Sequence, residues 1–555
     1  MRRLHVHVVI GLVVIGLVGC GWRTGLALEG AARDAGLDAG FDAGFDAGFD
    51  GAVPLPPTVD CFSEEFLAVE LRSIRRAGET RHSWGVVLVN PGDEDTGYVI
   101  ESRDPAGGIG VVEEGAVPSH GAARFERPLE RDPLPGVCDG PGDCEVGDDC
   151  VCEPVGCFCT RIDAGPARHR AYRVRSDRPI GALQVNPSDA ETAASADTSA
   201  LIPTARLGRR YTVAAWWTTF GPPAFGRVLP TYVTMVAARA ATVTIRMHPR
   251  AGPVYTSEGD RIAEGETITA RLGELETLDV FTIERMSDLS GTTIESDAPI
   301  AVFVGSTASD VPAWGFESER RCCSDHLQTM LLPDDQLGRR HFVLVPPNRS
   351  REVNAAATSG PALVERPDPI YVKVVATQDD TEVTAGDERV TLARGEHHLF
   401  AIERPTALVA SAPIAVLEAT SGTRAALDVG SPISLGDPSI TILPPVVAVH
   451  EYAPFVLDGY PFDYLLFATD STVPPTFDGE PAAGLCEATR AGATTQYTCR
   501  LSEPRIGPPP AFVLDEGVQR DGPHFVRVEG TETSLVGVGF GSFVSYLYPG
   551  CAAAR

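Results

Sequence analysis

Lysine is almost missing from this chain. Lys373 is the only one among 555 residues, and arginine supplies the rest of the 46 Lys and Arg charges. A P-loop and a Ser-x-x-Lys set are therefore absent, and any lysine nucleophile would have to be that single side chain. Lys373 alternates with Val372 and Val374 in a strand-like run, so it is read as facing solvent. No G-x-S-x-G elbow and no H-E-x-x-H helix motif occurs either. Positive charge is scarce as a whole: 75 acidic residues leave a net charge of −29. That excludes nucleic acid as a partner, because phosphate recognition needs a basic face. Outside the N-terminus no apolar run approaches the roughly 20 residues that a membrane-spanning helix needs. Helical periodicity is weak throughout.

The N-terminus carries a localisation signal. Arg2 and Arg3 precede Val8–Val18, an apolar run of 11 residues, which has the length of a secretory core. The run ends in Leu17-Val18-Gly19-Cys20, which resembles a bacterial lipobox. The expectation is a signal peptide over 1–19 and lipid attachment at Cys20. Each buried CH₂ of the acyl chains contributes about 0.8 kcal/mol to anchoring. Gly21, not Asp, follows the cysteine, which points to the outer membrane or cell surface of a two-membrane bacterium. Residues 20–60 contain the repeat DAGLDAGFDAGFDAGFDG over 34–51. Gly and Ala have little area to bury and the aspartates repel one another, so this segment is expected to be a disordered tether. A calcium site there is disfavoured, since calcium needs six to eight oxygens from a tight loop.

Thirteen cysteines include Cys20. In an exported chain the others read as disulfide candidates: Cys61, Cys138, Cys144, Cys150, Cys152, Cys157, Cys159, Cys322, Cys323, Cys486, Cys499 and Cys551. The six from Cys138 to Cys159 form a small stapled insert. Zinc is the alternative there, but structural zinc pairs are usually separated by two to four residues, not one. Cys486 and Cys499 are expected to pair. No metal site is assigned, and no cofactor is implied.

Past residue 60, short runs rich in Val, Ile, Thr, Tyr and Phe alternate with Gly, Pro and Asp, which reads as all-β. A mark recurs at long period: Ser176-Asp-Arg-Pro179, Ser296-Asp-Ala-Pro299 and Ser411-Ala-Pro413, each followed by an apolar strand. After the first two comes Leu-Gly-Arg-Arg, at Leu207–Arg210 and Leu337–Arg340. Four tandem antiparallel modules are expected, at 61–200 with the insert 138–159, 201–324, 325–424 and 425–555. Six or seven strands each suit a β-sandwich. A propeller-like ring of the four is the alternative.

The segment Cys322-Cys-Ser-Asp325-His326-Leu327-Gln-Thr-Met-Leu-Leu-Pro333, followed by Leu337-Gly338-Arg-Arg-His-Phe-Val343, resembles the IgGFc-binding protein N-terminal domain family. Asp380-Thr-Glu-Val383 and Ser411-Ala-Pro-Ile414 fit it too, and the likeness covers about 200 to 545. Two positions depart from the pattern: Met330-Leu-Leu replaces the usual glutamine region, and Leu337 stands where tryptophan is common. The resemblance implies a β-rich binding protein. The family's animal founder is a mucus-associated protein that binds immunoglobulin Fc, and many bacterial relatives are exported.

Asp325-His326 and His397-His398 are the titratable pairs worth weighing. Adjacent residues seldom converge on one substrate atom, so both are read as structural. Trp216-Trp217 offers the ligand-binding candidates, one ring packing inward and the other available to a glycan or protein. The expected function is non-enzymatic: adhesion or ligand binding at the cell surface. The alternative is an envelope hydrolase acting on polysaccharide or peptidoglycan, with two carboxylates about 5 to 9.5 Å apart. For the anchor, Cys20→Ala should release the chain from membranes or leave it unprocessed on fractionation. A mature, lipid-bearing species in that variant would refute it.

Overall fold

The Ser-to-Pro marks at 176–179, 296–299 and 411–413 all fall where a strand passes from one sheet into another. The computed structural model describes residues 61–550 apart from 72–82, 105, 129–136, 139–148, 154–155, 161–170, 187–195, 221–228, 250, 257–260, 314–319, 322, 360–361, 428–430, 432, 449–450 and 509–513. The expected signal peptide, Cys20 and the tether lie outside the described residues, as do Cys144, Cys322 and Cys551. In the first repeat Ala171–Asn186 is one strand of 16 residues. Its first half pairs with Ser63–Val69 and Thr96–Arg103, its second half with Ser83–Val89 and Asp197–Ala200. Ile109–Val117 and Ala122–Pro128 extend the two sheets outward. Proline has no N–H to donate, so ladder pairing lapses there and the strand can change sheets. The register slips opposite this point, between Ser63 and Glu65.

The third repeat copies the first. Thr406–Thr420 pairs early with Gly338–Val343 and Thr381–Ala385, and late with Ile370–Ala376 and Ser439–Ile442. The second repeat breaks the same strand in two, Thr293–Ser296 and Ile300–Ser309, on either side of Pro299. The fourth does so at Val526–Arg527 and Thr533–Phe540. The structure is therefore all-β and antiparallel, as the sequence indicates, with four repeats of one topology. Pairing places two strands differently from the expected junctions. Asp325–Met330 joins Ile300–Ser309 and completes the second repeat. Ser439–Ile442 completes the third. The Cys-rich insert contributes a separate three-stranded sheet, Val137–Cys138, Asp149–Glu153 and Gly156–Thr160.

The last strand of each repeat faces inward. Asp197–Ala200 packs against Asp325–Met330, which packs against Ser439–Ile442, then Ser545–Pro549, which returns to Asp197–Ala200. The four repeats thus close a ring, and sandwich-like units and a propeller-like arrangement coexist. The inner strands are not joined by a ladder across repeats. Side chains satisfy their facing N–H groups instead. Asp197 Oδ2 accepts from Gln328 N at 2.9 Å and Ile440 N at 3.1 Å, and its Oδ1 accepts from the Ser439 hydroxyl. Met330 N donates to Ser199 Oγ, and Ile442 N to Thr329 Oγ1. Asp437 N donates to Ser545 Oγ at 3.0 Å. The first and fourth repeats meet through an apolar seam that includes Val87, Leu183, Val185, Tyr460, Val544 and Tyr546. Each such side chain contributes roughly 1.5–3 kcal/mol on burial.

Because each inner sheet is covered on both faces, its strands are buried along their whole length. Thr231–Ala237, Ile300–Ser309 and Phe462–Thr469 have no exposed position. Two helices among the described residues, Arg349–Ala356 and Thr423–Ala426, sit in connections. None among the described residues is long and apolar enough to cross a membrane.

One buried acid stands out. Glu418 lies between Val372 and Thr441, as Gln184 lies between Val86 and Ser199 in the first repeat. Gln184 is fully bonded, accepting from Val69 N and donating to Gln328 Oε1. Glu418 Oε1 has no partner among the described residues, and burial pushes this carboxyl up to about 8. It is a neutral carboxylic acid at pH 7, close in shape to the glutamine at the matching place. Its folded pKa exceeds its unfolded one, so stability is full below pH 4.5 and is lost as pH rises toward 8. Glu418→Gln should match the parent near pH 4 and exceed it by about 3 kcal/mol at pH 7, since each pH unit is worth about 1.4 kcal/mol. Chemical denaturation at the two pH values measures this, and an equal difference at both would rule out the buried acid as its source.

Candidate functional site

Strand alternation gives the second repeat an outward polar face. In Ala241–Arg246, Val243 and Ile245 point into the core, while Thr244 and Arg246 point away. Neighbouring strands add Arg210, Thr212, Thr267, Thr293 and Glu295. Turns of the third repeat rise against this face: Ala376–Asp379, Arg394–Gly395 and Pro413. Together they enclose an open cleft of about 1140 Å³. A second cavity of about 740 Å³ shares Arg210, Glu295 and Asp334 and continues the trough past Arg209 toward Pro299.

At one corner the two repeats touch through glycine. Gly291 and Gly395 both have positive φ, 84° and 78°. A Cβ on Gly291 would lie 2.2 Å from Gly395 O, and one on Gly395 2.6 Å from His248 Cδ2. Only glycine permits that approach.

Charge in the cleft is unevenly committed. Glu295 pairs with Arg210 at 3.3 Å. Asp334 Oδ1 accepts from Thr212 N at 2.7 Å, and burial raises its carboxyl above the usual range in spite of that bond. Asp379 Oδ1 accepts from Arg394 N at 2.9 Å. The guanidinium groups of Arg246 and Arg394, both exposed, have no carboxylate partner among the described residues. No Trp, Tyr or Phe side chain lines the cleft among the described residues, and His248 at the glycine corner is its one aromatic ring. Among the described residues no three His, Cys, Asp or Glu side chains gather in a set able to hold a metal.

The lone lysine fixes the two repeats behind this cleft. Lys373 is fully buried, not solvent-facing, because the second repeat covers the face of the strand that alternation left open. Its Nζ donates to Asp288 Oδ2 at 2.5 Å and to Ala215 O at 2.7 Å. It also sits 3.5 Å from the centre of the Trp217 ring. His397 Nε2 approaches the same Asp288 oxygen at 3.3 Å. Burial pulls the Lys373 ammonium down to about 8 against the attraction of Asp288. Burial pushes the Asp288 carboxyl up, but Lys373 and His397 outweigh it and hold it below the usual range. The pair is ionised at neutral pH.

The expected site residues separate into structural places. Trp216 is buried and donates from Nε1 to Asp310 O at 2.8 Å. Trp217 is half-buried beneath Lys373. His398 turns away from His397 to Glu388, 2.8 Å distant. Asp325 and His326 are buried at the start of an inner strand, where Asp325 Oδ1 accepts from His326 N. His326 Nε2 lies 3.3 Å from Asn186 Nδ2 of the first repeat. Leu327 is in the core. Pro333 packs where a Cβ on Gly208 would meet it at 2.2 Å, and Gly338 stands in the same relation to Pro445. Cys486 and Cys499 are disulfide-bonded, directly opposed across a hairpin. Cys323 is also in a disulfide. Cys61 is buried beside Tyr452. The side chains of Cys138, Cys150, Cys152, Cys157 and Cys159 lie outside the described residues.

Sequence reading missed Arg246, Arg394 and Thr244. The one available signal was the outward Thr-x-Thr-x-Arg alternation of Thr242–Arg246.

Comparison with known families places residues 197–532 within the model of the family described as IgGFc binding protein. The match begins at the inner strand of the first repeat and ends in the fourth, so it takes in both sides of the cleft. No curated protein matches the chain.

Removing Lys373 should test the latch. Lys373→Met leaves Asp288 buried with His397 as its one cationic neighbour among the described residues, and should lower unfolding stability by up to about 3–5 kcal/mol. Adding Asp288→Asn should recover at least half of that loss. A double variant as unstable as the single would show that the charge pair is not what holds the repeats.

Proposed function

The chain belongs to the IgGFc-binding protein family, and from that premise we propose that it is a non-enzymatic ligand-binding protein of the cell surface. The family is a binding-type family. In this reading Cys20 carries the lipid, residues 20–60 hold the body off the membrane, and the four repeats present a binding surface outward. The cleft between the second and third repeats carries the proposal. It is open and polar, and its width is set by a buried ion pair and a glycine contact. Preorganised recesses lose less ordering entropy on binding than mobile loops do. Its carboxylates are each engaged by a neighbour, which suits recognition better than the facing acid and base of a glycosidase.

The test uses the compact body Leu55–Arg555 on arrays of glycans and proteins, with immunoglobulin Fc among them. Ligands that bind the parent should be lost on Thr244→Trp, which places a large side chain on the cleft floor. Binding left untouched by that change would move the site elsewhere. Absence of any bound ligand would sink the adhesion reading for everything on the array.

A further inference from the structure

Resting on the cleft reading above, we propose that the ligand is an acidic glycan: a carboxylate-bearing, uronate-type polysaccharide lying along the trough. Three observations converge on this class.

The first is charge. In a chain of net charge −29, the cleft leaves two guanidinium groups, Arg246 and Arg394, without a carboxylate partner among the described residues, while its lining carboxylates Glu295, Asp334 and Asp379 each have a bond. The two come from different repeats, one from the floor and one from the wall. Arginine meets carboxylate through two parallel N–H donors. An anion bridging both would be held by the wall and the floor at once.

The second is the lining. Thr212, Thr244, Thr267, Thr293, Thr377 and Gln378 offer hydroxyl and amide groups, and no Trp, Tyr or Phe ring among the described residues offers a stacking platform, the His248 ring being packed against Gly291 and Gly395. A hydroxyl-rich ligand suits such a surface through hydrogen bonds. An acidic peptide suits it less. The floor is the face of a four-stranded sheet, and a peptide strand adds at a sheet edge, so one lying across this face gains no ladder.

The third is shape. The cleft runs on into the second cavity through Arg210, Glu295 and Asp334. A continuous trough fits an extended chain, with Arg209 further along the same path beside Asp335, and Arg210 paired with Glu295.

Binding without stacking rests on charge, so it should be strongly salt-dependent. The experiment measures polygalacturonate binding to Leu55–Arg555 by calorimetry, beside its methyl ester, neutral dextran and polyglutamate. Polygalacturonate should bind, weakening about tenfold or more when salt rises from about 50 to 500 mM. The ester and dextran should not bind. Arg246→Ala and Arg394→Ala should each cost about tenfold in Kd, with unfolding temperature unchanged, as expected for exposed side chains that bond to charged ligand groups. No binding of polygalacturonate overturns the proposal. So does equal binding of the methyl ester, or affinity unchanged in both arginine variants. Polyglutamate bound as tightly as polygalacturonate would overturn the glycan class. If array ligands are lost on Thr244→Trp while polygalacturonate fails to bind, the cleft stands and only the acidic class falls. If array ligands survive Thr244→Trp, the cleft reading itself has failed.

Discussion

Everything in this fold depends on how four strand edges are satisfied at its centre. Each repeat ends in a strand whose free edge faces its neighbours, and a buried edge with orphaned N–H groups would cost about 1–3 kcal/mol for each group. The solution is a set of short polar side chains, each reaching across to the next repeat's backbone. Asp197 is the hub, taking backbone bonds from the second repeat and from the third. Gln328 returns a bond to Asp197 O, so these two strands fasten each other. The polar centre gives the ring its register, because each bond is directional. The apolar clusters around it supply most of the stabilisation without specifying which repeat meets which.

That division gives the motif residues a structural place. Asp325, His326 and Leu327 belong to the inner strand, and the glycine and proline positions at Gly338 and Pro333 lie at close approaches of backbone to ring. A motif like this reports the way repeats are seamed together. The outward sheet face and the turns, which carry Thr244, Arg246 and Arg394, lie apart from those seams.

Much of the architecture was legible in the sequence because it is written in local chemistry. Ser176 to Pro179 and its two counterparts mark the sheet-to-sheet crossings, since proline brings no N–H to a ladder. The pairing of Cys486 with Cys499 followed from their closeness in one hairpin. Lys373 was misread for a definite reason. Alternation distinguishes two faces of a strand but does not say what covers them, and here a second repeat covers the face presumed wet. Trp217 follows the same rule, its outer side taken by a lysine 156 positions downstream. The junctions expected at 324 and 424 fall before Asp325–Met330 and Ser439–Ile442, because sequence likeness marks where a motif recurs and not which neighbour a strand pairs with.

The ring also constrains the order in which the protein can be made. Ser545–Pro549 is the strand that stands between Ser439–Ile442 and Asp197–Ala200. Until it arrives, the first and third repeats each keep an inner edge bare, and the first repeat's apolar flank at Val87, Leu183 and Val185 lacks Val544, Tyr546 and Tyr548. Bare edges template pairing with other chains. A chain synthesised from its N-terminus therefore remains an open arc, and becomes a closed ring only when its final inner strand is in place.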